Sequence, residues 1–346
     1  MRPELLELLR CPRCGGGLEL DAAESDAHEV RRGRLDCACG ARYAVHDGIA
    51  ELTLSPAERD DEPPDELADP RDTLDEVTGD AMLINYEAVN RAMSPRRAGR
   101  ALFGTVRSWD QAVERLALGP GVRVLDVGAG ATWTTARLAA EGAWAVAADH
   151  RSARYVGLGS ADVLFEAGSA HFERVLTPIE RLPFRDAGFD RVVCQASLHD
   201  VADLSACLAE AARVLKPGGR LILVNEPVAS LRGWFDGTAA RRAWARGAPR
   251  RGVADYRSAL RRAGLGTRLV LPAGLEARLG ALAEAPGVLR ASTPGQRIKY
   301  RVIEKLASSY GRSPAFRKLA AWLYAPALGL FGQLLFMEAD KPGPRP

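Results

Sequence analysis

The chain has 346 residues, 47% hydrophobic and 26% charged, with a formal net charge of +3. That balance excludes a disordered chain and supplies enough apolar residues for a full core in one or two domains. The charge is uneven: Glu58 to Asp80 is strongly acidic and Arg232 to Lys318 strongly basic, which suits either a solvated face or a polyanionic partner. Met1-Arg-Pro-Glu-Leu-Leu-Glu lacks the apolar run of a secretory leader, so a cytoplasmic protein is expected.

The first predicted element is a zinc ribbon. Cys11-Pro-Arg-Cys14-Gly and Cys37-Ala-Cys39-Gly are two close cysteine pairs, each followed by a glycine that permits a tight knuckle. Four converging thiolates would close a tetrahedral, structural zinc site with no catalytic role. The second pair is one residue shorter than usual; the alternative is a ribbon that no longer holds metal. The run Leu5-Leu6-Glu7-Leu8-Leu9-Arg10-Cys11-Pro12, with Cys14, Gly16, Leu18 and then Tyr43, Val45 and Asp47-Gly48-Ile49, resembles the small zinc-ribbon activator subunit of tRNA, rRNA and release-factor methyltransferases. The resemblance covers residues 1–54 and departs at Ala50, where that family has proline, and at the shortened pair. It implies a small domain that packs against a methyltransferase and stabilises it, here fused in one chain.

Residues 55–80, rich in Pro, Asp and Glu, read as an extended linker. Helical periodicity returns from Ala81 to Leu118 and stops at Gly119-Pro120-Gly121. Strands and helices then alternate. The predicted order is strand Val122–Val127, helix Thr132–Glu141, strand Ala143–Asp149, strand Phe172–Thr177, strand Phe189–Gln195, helix Asp203–Leu215, strand Arg220–Glu226, helix Val253–Ala263 and strand Thr267–Leu271. Such alternation predicts an α/β fold with a parallel sheet covered on both faces.

The first of these strands ends in Asp126-Val-Gly128-Ala129-Gly130 and runs into a helix, an arrangement that brings backbone against a nucleotide-like ligand. Trp133 stands where a dinucleotide fingerprint has its third glycine, and no Gly-Lys-Ser/Thr opens the helix, so pyrophosphate and triphosphate ligands are disfavoured. Asp126 suits a cationic ligand better than a polyphosphate. Asp149, at the next strand end, sits where a carboxylate meets ribose hydroxyls.

Three further segments, Glu180-Arg-Leu-Pro-Phe184, Gly188-Phe-Asp190 and Arg213-Val-Leu-Lys-Pro-Gly-Gly219, follow in order. With the glycine turn they resemble the small-molecule-type class I S-adenosylmethionine-dependent methyltransferases over residues 120–272. The resemblance implies a doubly wound, mostly parallel seven-stranded sheet within 81–342. It implies S-adenosylmethionine as donor, held by Asp126, Gly128, Ala129, Gly130, Asp149, Glu180 and Gln195. One departure is Pro178, where the family often has an acid for the adenine amine; either a backbone carbonyl or Glu180 takes that contact, or the donor pocket is altered. His199, on the loop after the fourth strand, is the candidate general base, the alternative being a histidine that only bonds its neighbours. Cys194 and Cys207 read as buried apolar residues. The loop Gln195-Ala-Ser-Leu198 lacks the Asn/Asp-Pro-Pro-Tyr turn of enzymes that methylate amides or adenine amines.

The last strand of the family pattern is recognisable only at Leu334–Pro342, which makes 273–333 a helical insertion. That insertion is basic and aromatic, and Pro326 with the short apolar run excludes a spanning helix. It could cap an acceptor, grip an RNA backbone or lie on an anionic membrane surface. The expected activity is methyl transfer to a small-molecule, lipid- or glycan-linked acceptor. The alternatives are an RNA methyltransferase and a catalytically inactive module that binds donor or partner.

Overall fold

The computed structural model describes residues 1–55, 80–81, 84, 105–229, 249–271, 301, 305, 308–309, 312–316, 323–324, 328 and 334–343. The expected linker and nearly all of the expected insertion lie outside them. Four short strands come first: β1 (Glu19–Ser25), β2 (Val30–Asp36), β3 (Arg42–His46) and β4 (Ile49–Glu51). Then come α1 (Thr105–Leu116), β5 (Arg123–Val127), α2 (Trp133–Ala140), β6 (Trp144–Asp149), α3 (Ser160–Glu166) and β7 (Glu173–Leu176). The chain continues with β8 (Phe189–Gln195), α4 (Leu204–Val214), β9 (Leu215–Pro227), α5 (Val253–Arg262), β10 (Gly266–Leu269) and β11 (Leu334–Asp340).

All eleven strands join one sheet in the order β1-β2-β3-β4-β7-β6-β5-β8-β9-β11-β10. The stretch β7-β6-β5-β8-β9 is parallel, and β11 then runs antiparallel between β9 and β10. This is an α/β, Rossmann-like sheet with a mixed end. Its central strands carry near-continuous apolar runs because both faces are covered: Val124, Leu125 and Val127 of β5 are buried, as are Ala145 to Ala148 of β6. The Lys216-Pro-Gly-Gly219 turn expected before the fifth strand lies inside β9, as an excursion where the β8–β9 register shifts between Phe189 and Arg191.

The cysteine-bearing segment is part of this sheet. Strand β4 pairs in parallel with β7, Ile49 opposite Arg174 and Glu51 opposite Leu176. Leu5, Leu9, Leu35 and Tyr43 share one buried apolar cluster with Leu182, Phe184 and Leu208. The Leu-Pro-Phe turn meets the N-terminal segment directly: Arg10 N–H donates to the Pro183 carbonyl at 2.9 Å and Arg185 N–H to the Leu8 carbonyl at 2.7 Å.

Ions reinforce the same seam. Arg174 of β7 is fully buried and donates to Glu29 Oε1 at 2.5 Å and to Asp162 Oδ1 at 2.9 Å. Arg31 reaches the same two carboxylates at 2.8 and 3.0 Å. Glu173, also fully buried, accepts from the backbone and side chain of Arg2. Each buried charge has a partner of opposite sign, which its desolvation demands.

Candidate functional site

Two constellations emerge, one of thiols and one at the glycine turn. The four Sγ atoms of Cys11, Cys14, Cys37 and Cys39 lie within 4.8 Å of one another. Cys11 and Cys39 are 3.8 Å apart and Cys14 and Cys37 3.5 Å apart. A zinc tetrahedron with Zn–S near 2.3 Å spaces its sulfurs by about 3.8 Å, so the set fits that ion. Each pair sits on a knuckle: Gly15 N–H donates to the Cys11 carbonyl and Gly40 N–H to that of Cys37, both glycines at positive φ. The shortened Cys-x-Cys pair therefore still converges.

The second constellation lies at the carboxyl ends of β5, β6 and β8, where ligands bind in sheets of this kind. A cavity of about 490 Å³ opens there. Its wall includes Gly128 and Gly130 from the glycine turn, Asp149 from β6, Pro178 to Glu180 after β7, and Ser197 and His199 after β8. Of the residues expected to hold a donor, Gly128, Gly130, Asp149 and Glu180 line it. Ala129 is buried within the turn, its N–H donating to the Ala148 carbonyl at 3.2 Å. Gln195 stands off the wall, its Oε1 accepting from Asn225 Nδ2 at 2.8 Å.

Asp149 is oriented by its neighbours. Gly130 N–H donates to Oδ2 at 2.8 Å and Arg151 N–H to Oδ1 at 2.9 Å. Each carboxylate oxygen keeps acceptor capacity for a hydroxyl. The turn is tight for an identifiable reason. A side chain on Gly128, whose φ is +73°, would put its Cβ 2.3 Å from Ser197 Cβ, so only glycine fits. Thr132, the residue before α2, also holds a left-handed φ of +54°, its hydroxyl 2.7 Å from that of Ser160. Such strain in a β-branched residue is characteristic of ligand-gripping turns.

Asp126 is fully buried, and Oδ2 accepts from the hydroxyls of Thr134 at 2.6 Å and Thr135 at 2.7 Å. Oδ1 has no hydrogen-bond partner. Burial is the main influence and pushes the carboxyl up to about 6, against the two hydroxyl bonds. Unlike Asp149, Asp126 is not part of the cavity wall. Trp133, in the place of a third glycine, packs edge-on against buried Trp109 at 5.7 Å. It ties α2 to α1.

His199 sits between two carboxyls. Its Nε2 lies 3.1 Å from Asp200 Oδ2 and its Nδ1 3.7 Å from Glu226 Oε2. Burial opposes its charge, but the two acids outweigh that and raise it to about 9. At neutral pH it is an imidazolium with both nitrogens facing acids, so it is poorly suited to accept a proton. Glu226 and Arg251 shape this loop, and neither stood out in the sequence. Glu226 ends an apolar strand run, Leu221-Ile-Leu-Val-Asn-Glu226, and a lone acid there was its only signal. Arg251 was one of several arginines in a basic stretch.

Residues 125–223 match the family described as a methyltransferase domain. This segment of the chain is therefore similar to a methyltransferase domain. The matched residues run from β5 into β9 and contain the glycine turn, Asp149 and His199. Over 166 residues the chain is 37% identical to a demethylmenaquinone methyltransferase of Mycobacterium marinum, covering 47% of this chain and 64% of that protein. Over 149 residues it is 40% identical to the demethylmenaquinone methyltransferase of Mycobacterium sp. strain KMS, covering 42% and 56%. The chain thus spans less than two thirds of the length of the curated relatives it matches. Among solved structures, a complex of the Haloferax volcanii Trm112 methyltransferase activator with a methyltransferase aligns at TM-score 0.43 and 20% identity, covering 78% of this chain and 99% of that one. Among the described residues, no helix is long and apolar enough to cross a membrane.

Proposed function

We propose that this chain transfers a methyl group from S-adenosylmethionine to a small, apolar or lipid-linked acceptor. The carrying observation is the cavity where Gly128, Gly130 and Asp149 converge, inside the segment that matches the methyltransferase domain family. Asp149 would accept from ribose hydroxyls, and the Gly128–Gly130 backbone would lie against the ribose and methionine portions. Asp126 would balance the ammonium charge, and Glu180 or the Pro178 carbonyl would face the adenine amine. The donor supplies an already activated methyl group on a sulfonium. The protein's task is therefore mainly to align donor and acceptor and to exclude water. The four cysteines would hold a structural zinc ion that fixes the N-terminal strands on the sheet. An acceptor ionised before it enters the cavity suits the charged state of His199, because no residue then has to remove a proton.

Calorimetry with S-adenosylmethionine, followed by radiolabelled methyl transfer to demethylmenaquinone and to RNA, tests this reading. Saturable donor binding with label in the quinone supports it. Donor binding with label only in RNA replaces the acceptor class, and failure to bind the donor overturns the reading. Metal analysis after refolding should find one zinc per chain; none would remove the zinc assignment.

A further inference from the structure

The loop 196–202 forms one side of the donor cavity and is tied down from three directions. Ser197 Oγ donates to the Val127 carbonyl at 2.7 Å, and its Cβ fills the space that the missing side chain of Gly128 leaves. From β9, the fully buried Glu226 accepts from Ser197 N–H at 2.9 Å and Leu198 N–H at 3.0 Å through Oε1, and from Leu198 N–H at 3.1 Å through Oε2. From the segment before α5, the buried Arg251 donates to the carbonyls of Leu198 at 2.5 Å and Ala202 at 3.3 Å, and to that of Val201. The loop's amides are held by an acid and its carbonyls by a guanidinium. Both holders lie outside the loop and outside the cavity wall.

We propose that Glu226 is the positioning residue of the site: it latches the His199 loop to the glycine turn through Ser197 and fixes the imidazole by its Nδ1 face. This rests on the methyltransferase reading and deepens it. His199 is then a fixed part of the cavity wall, with Glu226 on one side and Asp200 on the other, and takes no proton from the acceptor. At 3.7 Å the Glu226 contact is ionic rather than a hydrogen bond, so the acid acts on the ring through charge. The other groups packed here agree with that. Tyr256 of α5 and Cys194 of β8 are both held neutral, by burial first and by Glu226 next, so neither competes for the imidazole. Arg251 is spent on backbone carbonyls. Glu226 serves the backbone amides and the ring together, and no other described side chain does both.

The test is Glu226→Gln, which keeps the shape of the side chain and removes its charge. Two readouts are needed, donor affinity by calorimetry and the His199 titration by NMR, the latter assigned by comparison with His199→Gln. The expected result is donor binding weakened by about tenfold or more, because the Ser197 and Leu198 amide bonds lose their charge assistance and the Leu198 contact at Oε2 is lost. The His199 midpoint should also fall from about 9 toward the ordinary histidine range. A merely structural role would leave that midpoint unmoved. Wild-type protein that binds no donor would sink the methyltransferase reading itself. Wild type that binds, with Glu226→Gln binding within twofold and an unmoved midpoint, overturns the positioning role alone. If Glu226→Gln does not fold, Ser197→Ala decides: it removes only the Val127 tie and should weaken donor binding several-fold. Unchanged affinity there also overturns the latch.

Discussion

Glu173 and Asp126 are both buried carboxyls on the same sheet, yet their acidities are shifted in opposite directions. Burial pushes each upward as the first influence. At the seam, contacts from His171 and Arg2 reverse it and hold Glu173 down at about 2. At the glycine turn, two threonine hydroxyls are too weak, and Asp126 stays at about 6. The seam is electrically complete without anything else bound. At the glycine turn one oxygen of the acid is left without a partner. A protein can therefore carry rigid and receptive regions a few strands apart by choosing guanidinium or hydroxyl partners for the same kind of acid.

The contrast can be broken most forcefully at Arg174. Arg174→Met leaves Glu29 and Asp162 short of a buried partner and should cost about 3–5 kcal/mol, read as a lower thermal midpoint. Donor affinity of the protein that remains folded should be unchanged; a matching loss of affinity would show that seam and site are one unit.

Next in size are the two acids themselves. Glu173 is depressed from 4.5 to about 2, so its contribution is present above the unfolded value and is lost as pH falls through the folded one. Glu173→Gln should remove a stability slope between pH 4.5 and 2, on the order of 3 kcal/mol in total. Asp126 is raised from 3.8 to about 6, so without ligand stability falls as pH climbs through that window. Asp126→Asn should flatten that slope and stabilise the free protein at neutral pH by on the order of 3 kcal/mol, while weakening donor binding. Urea midpoints across pH check both. An Asp126→Asn protein less stable than wild type at pH 8 would refute the reading of the site.

A smaller effect sharpens the comparison. Thr134→Val withdraws one hydroxyl from Asp126 and should cost about 1–3 kcal/mol at neutral pH, with an Asp126 titration that moves further up. The smallest is Glu141→Ala on α2. It removes a half-exposed pair with Arg137 at 3.4 Å and should stay within about 0.5 kcal/mol in the same melts.

What was legible in the sequence was local. The glycine turn, Asp149 and the cysteine knuckles are set by residues a few positions apart, and their chemistry could be read directly. Donor-site residues that depend on strand register were harder. Glu226 is placed against Ser197 by β8–β9 pairing, and Arg251 reaches the loop from a segment some fifty positions on. The histidine was visible but its role was not, because its two flanking acids come from different elements. The ribbon segment was recognisable, while its continuity with the sheet was not. A three-residue strand, Ile49–Glu51, carries too little pattern to reveal its partner. Arg174 gives no hint of burial in Glu-Arg-Val-Leu, since what covers it comes from residues 29 to 51 and from Asp162 and Phe165 of α3.

That continuity decides where the sheet is open to other chains. Strand β7 is buried along its whole length, and without β4 its backbone amides and carbonyls, and the buried charges of Glu173 and Arg174, would lie at an open edge. With the ribbon in place the outermost strand is instead β1. It is charged with Glu19, Asp21 and Glu24, mostly exposed, and broken by register shifts around Glu24. The N-terminal strands thus exchange a hazardous sheet margin for a guarded one, so loss of the ribbon should show first as poor solubility and only then as lost catalysis.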